Sequence, residues 1–280
     1  MTLPYIPSRF KRFRIVPIFL NPDAPAGYFS GIREAIDILE RTFAPNAVTL
    51  IFSFDWQDSG GTFLGHSGSP ETVRGIVGQF SGCTYGAYRD AIKCSANTTT
   101  MRSAAQNLPA TLPGGTFAMR VNQAWALGFN LPNRTNSSTA VIIGSEWSWS
   151  FTRTGGVSNF DFVGVLLHEI TECMGRIRYA NTDANGIGIS EVTGLDLLSY
   201  TSGSLSYSSS GGYLSVDGGV TSINTWNTGA GDIMDWAGAT TDCCNASLGT
   251  GLVPFSNVDI QTMNAIGWKV TPSIAAGLML

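Results

Sequence analysis

The sequence predicts an α+β protein in which a twisted mixed sheet carries packed helices, and three observations lead there. Stretches rich in β-branched and aromatic residues occur at 13–20, 48–54, 116–121 and 139–143. Helical spacing of apolar residues separates the first two and returns at 158–175. Strand, helix, strand, further strands and then a helix is the order of a sheet covered by helices.

Taken in order, Phe13 to Leu20 reads as a strand bounded by Asn21-Pro22 and Pro25. From Gly27 to Phe43, residues Ile32, Ala35, Ile36, Leu39 and Phe43 fall on one face of an amphipathic helix that Pro45 ends. Val48 to Phe54 is a second strand. Residues 55 to 115 are Gly-rich and predict one or two short helices, around 98 to 107. Thr116 to Val121 and Thr139 to Ile143 add strands. In the helix at 158–175, Val163, Leu166, Leu167, Ile170 and Met174 recur at threes and fours, giving one apolar stripe for the core.

Composition narrows the function classes. A 280-residue chain that is 43% hydrophobic can bury a substantial core. Only 13% of residues are charged, glycine is abundant at 33, and three of the sixteen basic residues are lysines. Such a surface suits an extracellular, cell-surface or virion protein. The net charge of −4 is uneven: residues 1–160 hold 13 basic and 9 acidic side chains, residues 161–280 hold 3 and 11. Cations would collect in the C-terminal part, and the balance argues against nucleic acid as partner. The run Arg9 to Arg14 reads as a solvated basic arm over residues 1–12. The first twenty residues lack the features of a signal peptide, and no stretch is long enough to span a membrane. The apolar tail 269–280 is expected to pack on the domain or a neighbour.

Of the five cysteines, Cys83 and Cys94 bracket a short stretch and suit a disulfide-closed loop. Cys243 and Cys244 are adjacent and need other partners, while Cys173 lies on the helix face expected to be buried. No CxxC spacing suggests a cysteine zinc site.

The chemistry concentrates in the helix at 158–175. His168 and Glu172, four apart, project from one side of it, with Glu169 one step round. A cation held by the first two would have Glu169 as its neighbouring base. This is the frame of the HExxH zinc helix, with glutamate at the second ligand position. Gly175 and Arg178 fall where the longer pattern HExxHxxGxxH has its glycine and third ligand, and an arginine cannot ligate a cation. The spacing also suits another role, since Glu172 and Arg176 form a well-oriented i,i+4 ion pair.

Several segments carry a family resemblance. The approach Asp161-Phe162-Val163-Gly164-Val165-Leu166-Leu167-His168-Glu169 resembles the run into the zinc helix of matrixin and serralysin relatives. The stretch Asn122 to Gly128, together with His168 to Arg176, resembles a mostly bacterial, exported subgroup with HExxE in place of HExxH. Gly194 to Tyr200, Ser215 to Gly219 and Gly231 to Trp236 resemble it too, and Val258 to Trp268 is similar to the closing helix of matrixins. The chain thus resembles a metzincin-like zincin metallopeptidase from about residue 13 to 268. The resemblance implies an upper subdomain over 13–175 including the site helix, and an irregular lower subdomain over 176–268 ending in a helix. It makes His168 the first metal ligand, Glu169 the general base, Glu172 the second ligand and Met234 a candidate Met-turn.

The third ligand is open. With two histidines in the chain, a three-histidine site is impossible, and His66 in a Gly/Ser loop reads as a surface residue. Carboxylates after the helix are the alternatives, namely Asp183, Glu191 and Asp196. Asp196 is favoured because it lies in a subgroup-like segment, although capping a turn would also explain it. One imidazole with two carboxylates suits zinc and also admits manganese or calcium. Two functions follow. The first is a metal-dependent endopeptidase acting on peptide or protein substrates; the second is a non-catalytic structural or binding protein on a zincin scaffold. Arg176 or Arg178 occupying the space of a third carboxylate ligand would rule out the first.

Overall fold

The computed structural model describes residues 12–68, 72–74, 84–113, 115–131, 140–179, 191–206, 211–229, 231–238 and 242–277. The N-terminal part holds β1 (Arg14–Phe19), α1 (Ala26–Thr42), β2 (Thr49–Gln57), β3 (Gly65–Ser67), β4 (Thr72–Arg74), α2 (Tyr85–Ser95) and α3 (Thr99–Asn107). Then come β5 (Thr116–Arg120), α4 (Val121–Ala126), β6 (Ala140–Gly144), β7 (Trp149–Ser150), β8 (Phe160–Asp161) and α5 (Phe162–Cys173). The remainder holds β9 (Glu191–Val192), a 3-10 turn at Asp196–Leu198, β10 (Ser199–Thr201), β11 (Ser204–Leu205), β12 (Tyr213–Leu214) and β13 (Asn224–Thr225). Two helices, α6 (Asn257–Ala265) and α7 (Pro272–Gly277), close the described chain.

The fold is α+β with mixed sheets. Its main sheet runs β1-β2-β6-β3, with β1, β2 and β6 parallel and β3 antiparallel at the edge. In β2 the buried residues Leu50, Phe52 and Phe54 alternate with less buried ones, as a pleated strand requires. Helix α1 buries Tyr28, Ile32, Ala35, Ile36 and Leu39, the face its spacing predicts. One hydrophobic core extends from Phe13 to Val270 and draws on residues either side of position 175. No helix among the described residues is long and apolar enough to cross a membrane. Ile274 and Ala275 of α7 pack against the core, as expected of the tail.

Helix α5 departs from expectation at both ends and around its girth. It starts at Phe162 because Asp161 is extended and β8 pairs with β7. The Asp161 carboxylate is held by Arg153 Nη2 (2.8 Å) and the Val253 amide (3.0 Å). All twelve residues of α5 are buried, not one stripe, so the helix is enclosed on every side.

Its C-terminus is a Schellman turn. Gly175, at φ +115°, lets the Arg176 amide bond Thr171 O (3.0 Å) and its own amide bond Glu172 O (3.0 Å). The α6 end repeats this with Gly267 at φ +118°, the Trp268 amide meeting Met263 O at 3.1 Å. Side chains cap the leftover carbonyls: Asn122 donates to Cys173 O (3.0 Å), Gln123 to Ile266 O (2.9 Å) and Trp268 Nε1 to Met174 O (3.0 Å). Short helix α4 thereby fastens α5 to α6.

Helix α1 meets α5 through Gly31, where an added Cβ would lie 2.4 Å from the Phe151 carbonyl and 2.4 Å from the Phe162 ring. In an open helix, Gly→Ala stabilises by about 1 kcal/mol. At this contact overpacking costs about 1–3 kcal/mol and reverses the sign. Gly31→Ala is therefore expected to lower the urea unfolding midpoint, and an equal or higher midpoint would contradict the close packing.

Candidate metal centre

The enclosed helix α5 presents His168 and Glu172 one turn apart, and a distant turn supplies the third group. His168 Nδ1 lies 2.8 Å from the Cys243 carbonyl, which can only accept, so Nδ1 carries the proton. Nε2 then faces Glu172 Oε1 at 3.3 Å and Asp235 Oδ1 at 3.5 Å. Ligand atoms of His168, Glu172 and Asp235 all lie within 4.8 Å of one another. A tetrahedral centre with bonds of about 2.0–2.1 Å has edges of about 3.3 Å, so these separations fit a divalent ion. The carbonyl behind His168 is the usual outer partner of a metal-binding imidazole.

Arg176 stands with this trio. It is fully buried, donates through Nη1 to Asp235 Oδ1 (2.8 Å) and through Nη2 to Glu172 Oε1 (3.1 Å). The expected Glu172–Arg176 pair thus forms, but in the interior and not on the surface, because the Schellman turn swings Arg176 back beside the helix. Thr171 Oγ1 accepts from its Nε at 3.1 Å. Arg176 is not among the residues lining the cleft above, whereas His168, Glu169 and Asp235 are. The guanidinium reaches both carboxylates without closing off the cleft.

Charge and burial set the protonation of the cluster. Burial opposes a charged His168, yet Asp235, and after it Glu172, outweigh that and hold the imidazole well above its ordinary value. Burial likewise opposes ionisation of Glu172, but the His168 hydrogen bond and Arg176 bring its carboxyl down to about 2. Glu169 goes the other way, pushed up to about 8 by burial and then by the Glu172 charge.

Strand β3 covers the site. Ser67 Oγ donates to Glu172 Oε2 at 2.8 Å. A Cβ on Gly65 would come 2.8 Å from Glu169 Oε1 and 2.7 Å from Val165 Cγ1, so only glycine lets the strand approach so closely. The cleft beside it measures about 550 Å³ and is lined by Gly61–His66, Trp147, Phe160, Val165, His168, Glu169, residues 231, 232 and 235, and a 245–248 segment. Its roof is pinned by Glu146, whose carboxylate accepts from the Ser59 hydroxyl, the Ser59 amide (3.0 Å) and the Gly61 amide (2.8 Å).

The third carboxylate that the fold brings beside His168 and Glu172 is Asp235, whereas the expected Asp196 lies outside this group. Asp196 instead orients a turn, accepting from the amides of Thr193 (2.9 Å) and Tyr179 (3.2 Å), with Arg178 Nε 3.7 Å away. Arg178 lies over the Trp226 ring at 5.1 Å, and Trp226 stacks on Trp236 at 4.5 Å, which positions the neighbouring Asp235. Glu191 sits in β9, while Asp183 lies outside the described residues. Met234 adjoins Asp235, and its carbonyl accepts from Arg176 at 3.3 Å. Cys94 is exposed near the end of α2, and Cys83 lies outside the described residues, as does their proposed pairing. His66, exposed on β3, lines the cleft.

A second group, Cys243, Cys244 and Asp259, is satisfied within the fold. Asp259 caps α6 with Ser256 and accepts from Trp236 Nε1 (3.0 Å) and the Cys243 thiol (3.4 Å).

Removing one partner of a buried charge cluster costs about 3–5 kcal/mol. Arg176→Met is expected to show that loss in urea unfolding, and adding Glu172→Gln and Asp235→Asn to recover most of it. Stability unchanged in Arg176→Met would contradict the pairing.

Compared with family models, curated proteins and solved structures, the chain finds no significant match, so the site stands on its own geometry.

Proposed function

We propose that the protein is a metal-dependent peptidase of zincin type, with His168, Glu172 and Asp235 as ligands and Glu169 as general base. The observation that carries this reading is the set of donor separations, 3.3 and 3.5 Å, at the floor of a cleft that Glu169 also lines. The resemblance of the α5 sequence to a metzincin zinc helix supports it. Zinc suits the donor set best, and manganese or calcium are admitted by its two carboxylates.

A bound divalent ion would supply the Lewis acid that polarises a peptide carbonyl and acidifies water. The residues do the rest. Glu169, held in a buried site where its carboxyl is basic for its type, takes the proton of the attacking water and passes it to the leaving amine. Edge strand β3 offers its unpaired side to a substrate backbone as an added strand. Arg176 offsets one of the two ligand carboxylates, so the donor set with its counter-charge resembles a site of two neutral ligands and one carboxylate. That keeps an ion more electrophilic than two uncompensated carboxylates would.

A second reading rests on the same cluster. Arg176, Ser67 and a protonated His168 satisfy both carboxylates by themselves, as a non-catalytic structural or binding protein on this scaffold requires.

Metal analysis of protein purified without chelators separates the two. About one equivalent of zinc or manganese is expected, lost in His168→Ala and Asp235→Asn and retained in Asp196→Asn. Glu169→Gln should keep the metal and abolish cleavage of denatured casein, and Gly65→Ala should lower cleavage by pushing on Glu169. No metal after supplementation, with no cleavage, selects the scaffold reading.

A further inference from the structure

Among its described lining residues, the cleft contains one carboxylate that the proposed chemistry leaves unused. Asp232 is exposed and lines the cleft together with His168, Glu169 and Asp235. Its backbone is fixed, since its carbonyl accepts from the Asp235 amide and from Asn227 Nδ2, both at 3.2 Å. Its carboxylate makes no hydrogen bond or ion pair with any described residue, whereas those of Glu172 and Asp235 do. Among the described residues, no lysine or arginine lines the cleft.

A peptide cation entering the cleft would meet this carboxylate without displacing a cationic partner among the described lining residues. Phe63, Trp147, Phe160 and Leu248 form the apolar part of a lining that also holds Thr62, His66, Asn245 and Ser247, with Trp147 and Phe160 edge to face at 5.4 Å. The cleft lining therefore combines an aromatic wall with an unpartnered carboxylate on a hydrogen-bonded turn.

We infer that Asp232 is the specificity-determining residue for a basic side chain, lysine or arginine, of a bound peptide whose apolar neighbour packs on the aromatic wall. This rests on the peptidase reading for its substrate class. A peptide's own amino terminus is a cation of the same kind, so the probes must separate the two sources.

The test is fluorescence anisotropy with metal-loaded Glu169→Gln protein, which reports binding without turnover. Acetylated, amidated hexapeptides share one phenylalanine and differ at one position: lysine, arginine, glutamine or glutamate. Lysine and arginine peptides should bind about five- to tenfold tighter than the glutamine peptide, with the advantage shrinking in salt. Asp232→Asn should abolish that difference while metal content and thermal midpoint stay unchanged. Equal binding of lysine and glutamine peptides, no binding of any, or a preference that survives Asp232→Asn would overturn the inference. So would a preference seen only for non-acetylated peptides, which assigns Asp232 to amino termini. Wild-type cleavage of casein is read separately: its absence counts against the peptidase while the binding series still reports on Asp232.

Discussion

The fold depends on a guanidinium held in its interior. Arg176 joins the end of α5 to a turn fifty-nine residues on by bonding Glu172 and Asp235 at once. Two carboxylates this deeply buried would otherwise repel each other in a medium too poor in water to screen them. The Schellman turn at Gly175 is what brings Arg176 back to the helix it has just left. The tryptophan stack under Arg178 holds the other side of the turn. The charge pair and the aromatic pillar thus fix the same few atoms from opposite directions.

The helix ends form a second level of organisation. Each helix C-terminus leaves carbonyls without partners, and in this chain α5 and α6 have theirs met by side chains of Asn122, Gln123 and Trp268. These bonds cross 51, 143 and 94 residues of sequence, so they act as tertiary fastenings and not merely as local caps. His168 gains from this, because the helix that carries it is gripped at its end and enclosed along its length.

What could be seen in the sequence was what depends on near neighbours along the chain. The strands β1, β2, β5 and β6 announced themselves through β-branched and aromatic runs, and α1 and α5 through apolar spacing. His168, Glu169 and Glu172 share one helical turn, so their juxtaposition follows from 3.6 residues per turn alone. Asp235 and the Cys243 carbonyl reach His168 only through tertiary packing, which no spacing encodes. Asp196 drew attention through its subgroup-like segment, and only the fold shows that its oxygens are taken by Thr193 and Tyr179. Strand β3 escaped notice for a steric reason: it must slide close over Glu169, and the glycine that permits this erases the β-branched signature. The Gly231 to Trp236 segment did carry a signal, through the Met234 beside the residue that mattered.

The order in which the site's parts occur along the chain also governs when it can exist. Loop 59–67 and α5 precede the turn bearing Asp235 and the carbonyl of Cys243, which follow His168 by 67 and 75 residues. Closing such separations costs chain entropy before the contacts return anything, so the trio assembles late in folding. Until the C-terminal segment docks, His168 lacks both its third partner and the carbonyl that orients its ring. Partly folded chains therefore lack the assembled His168, Glu172 and Asp235 cluster.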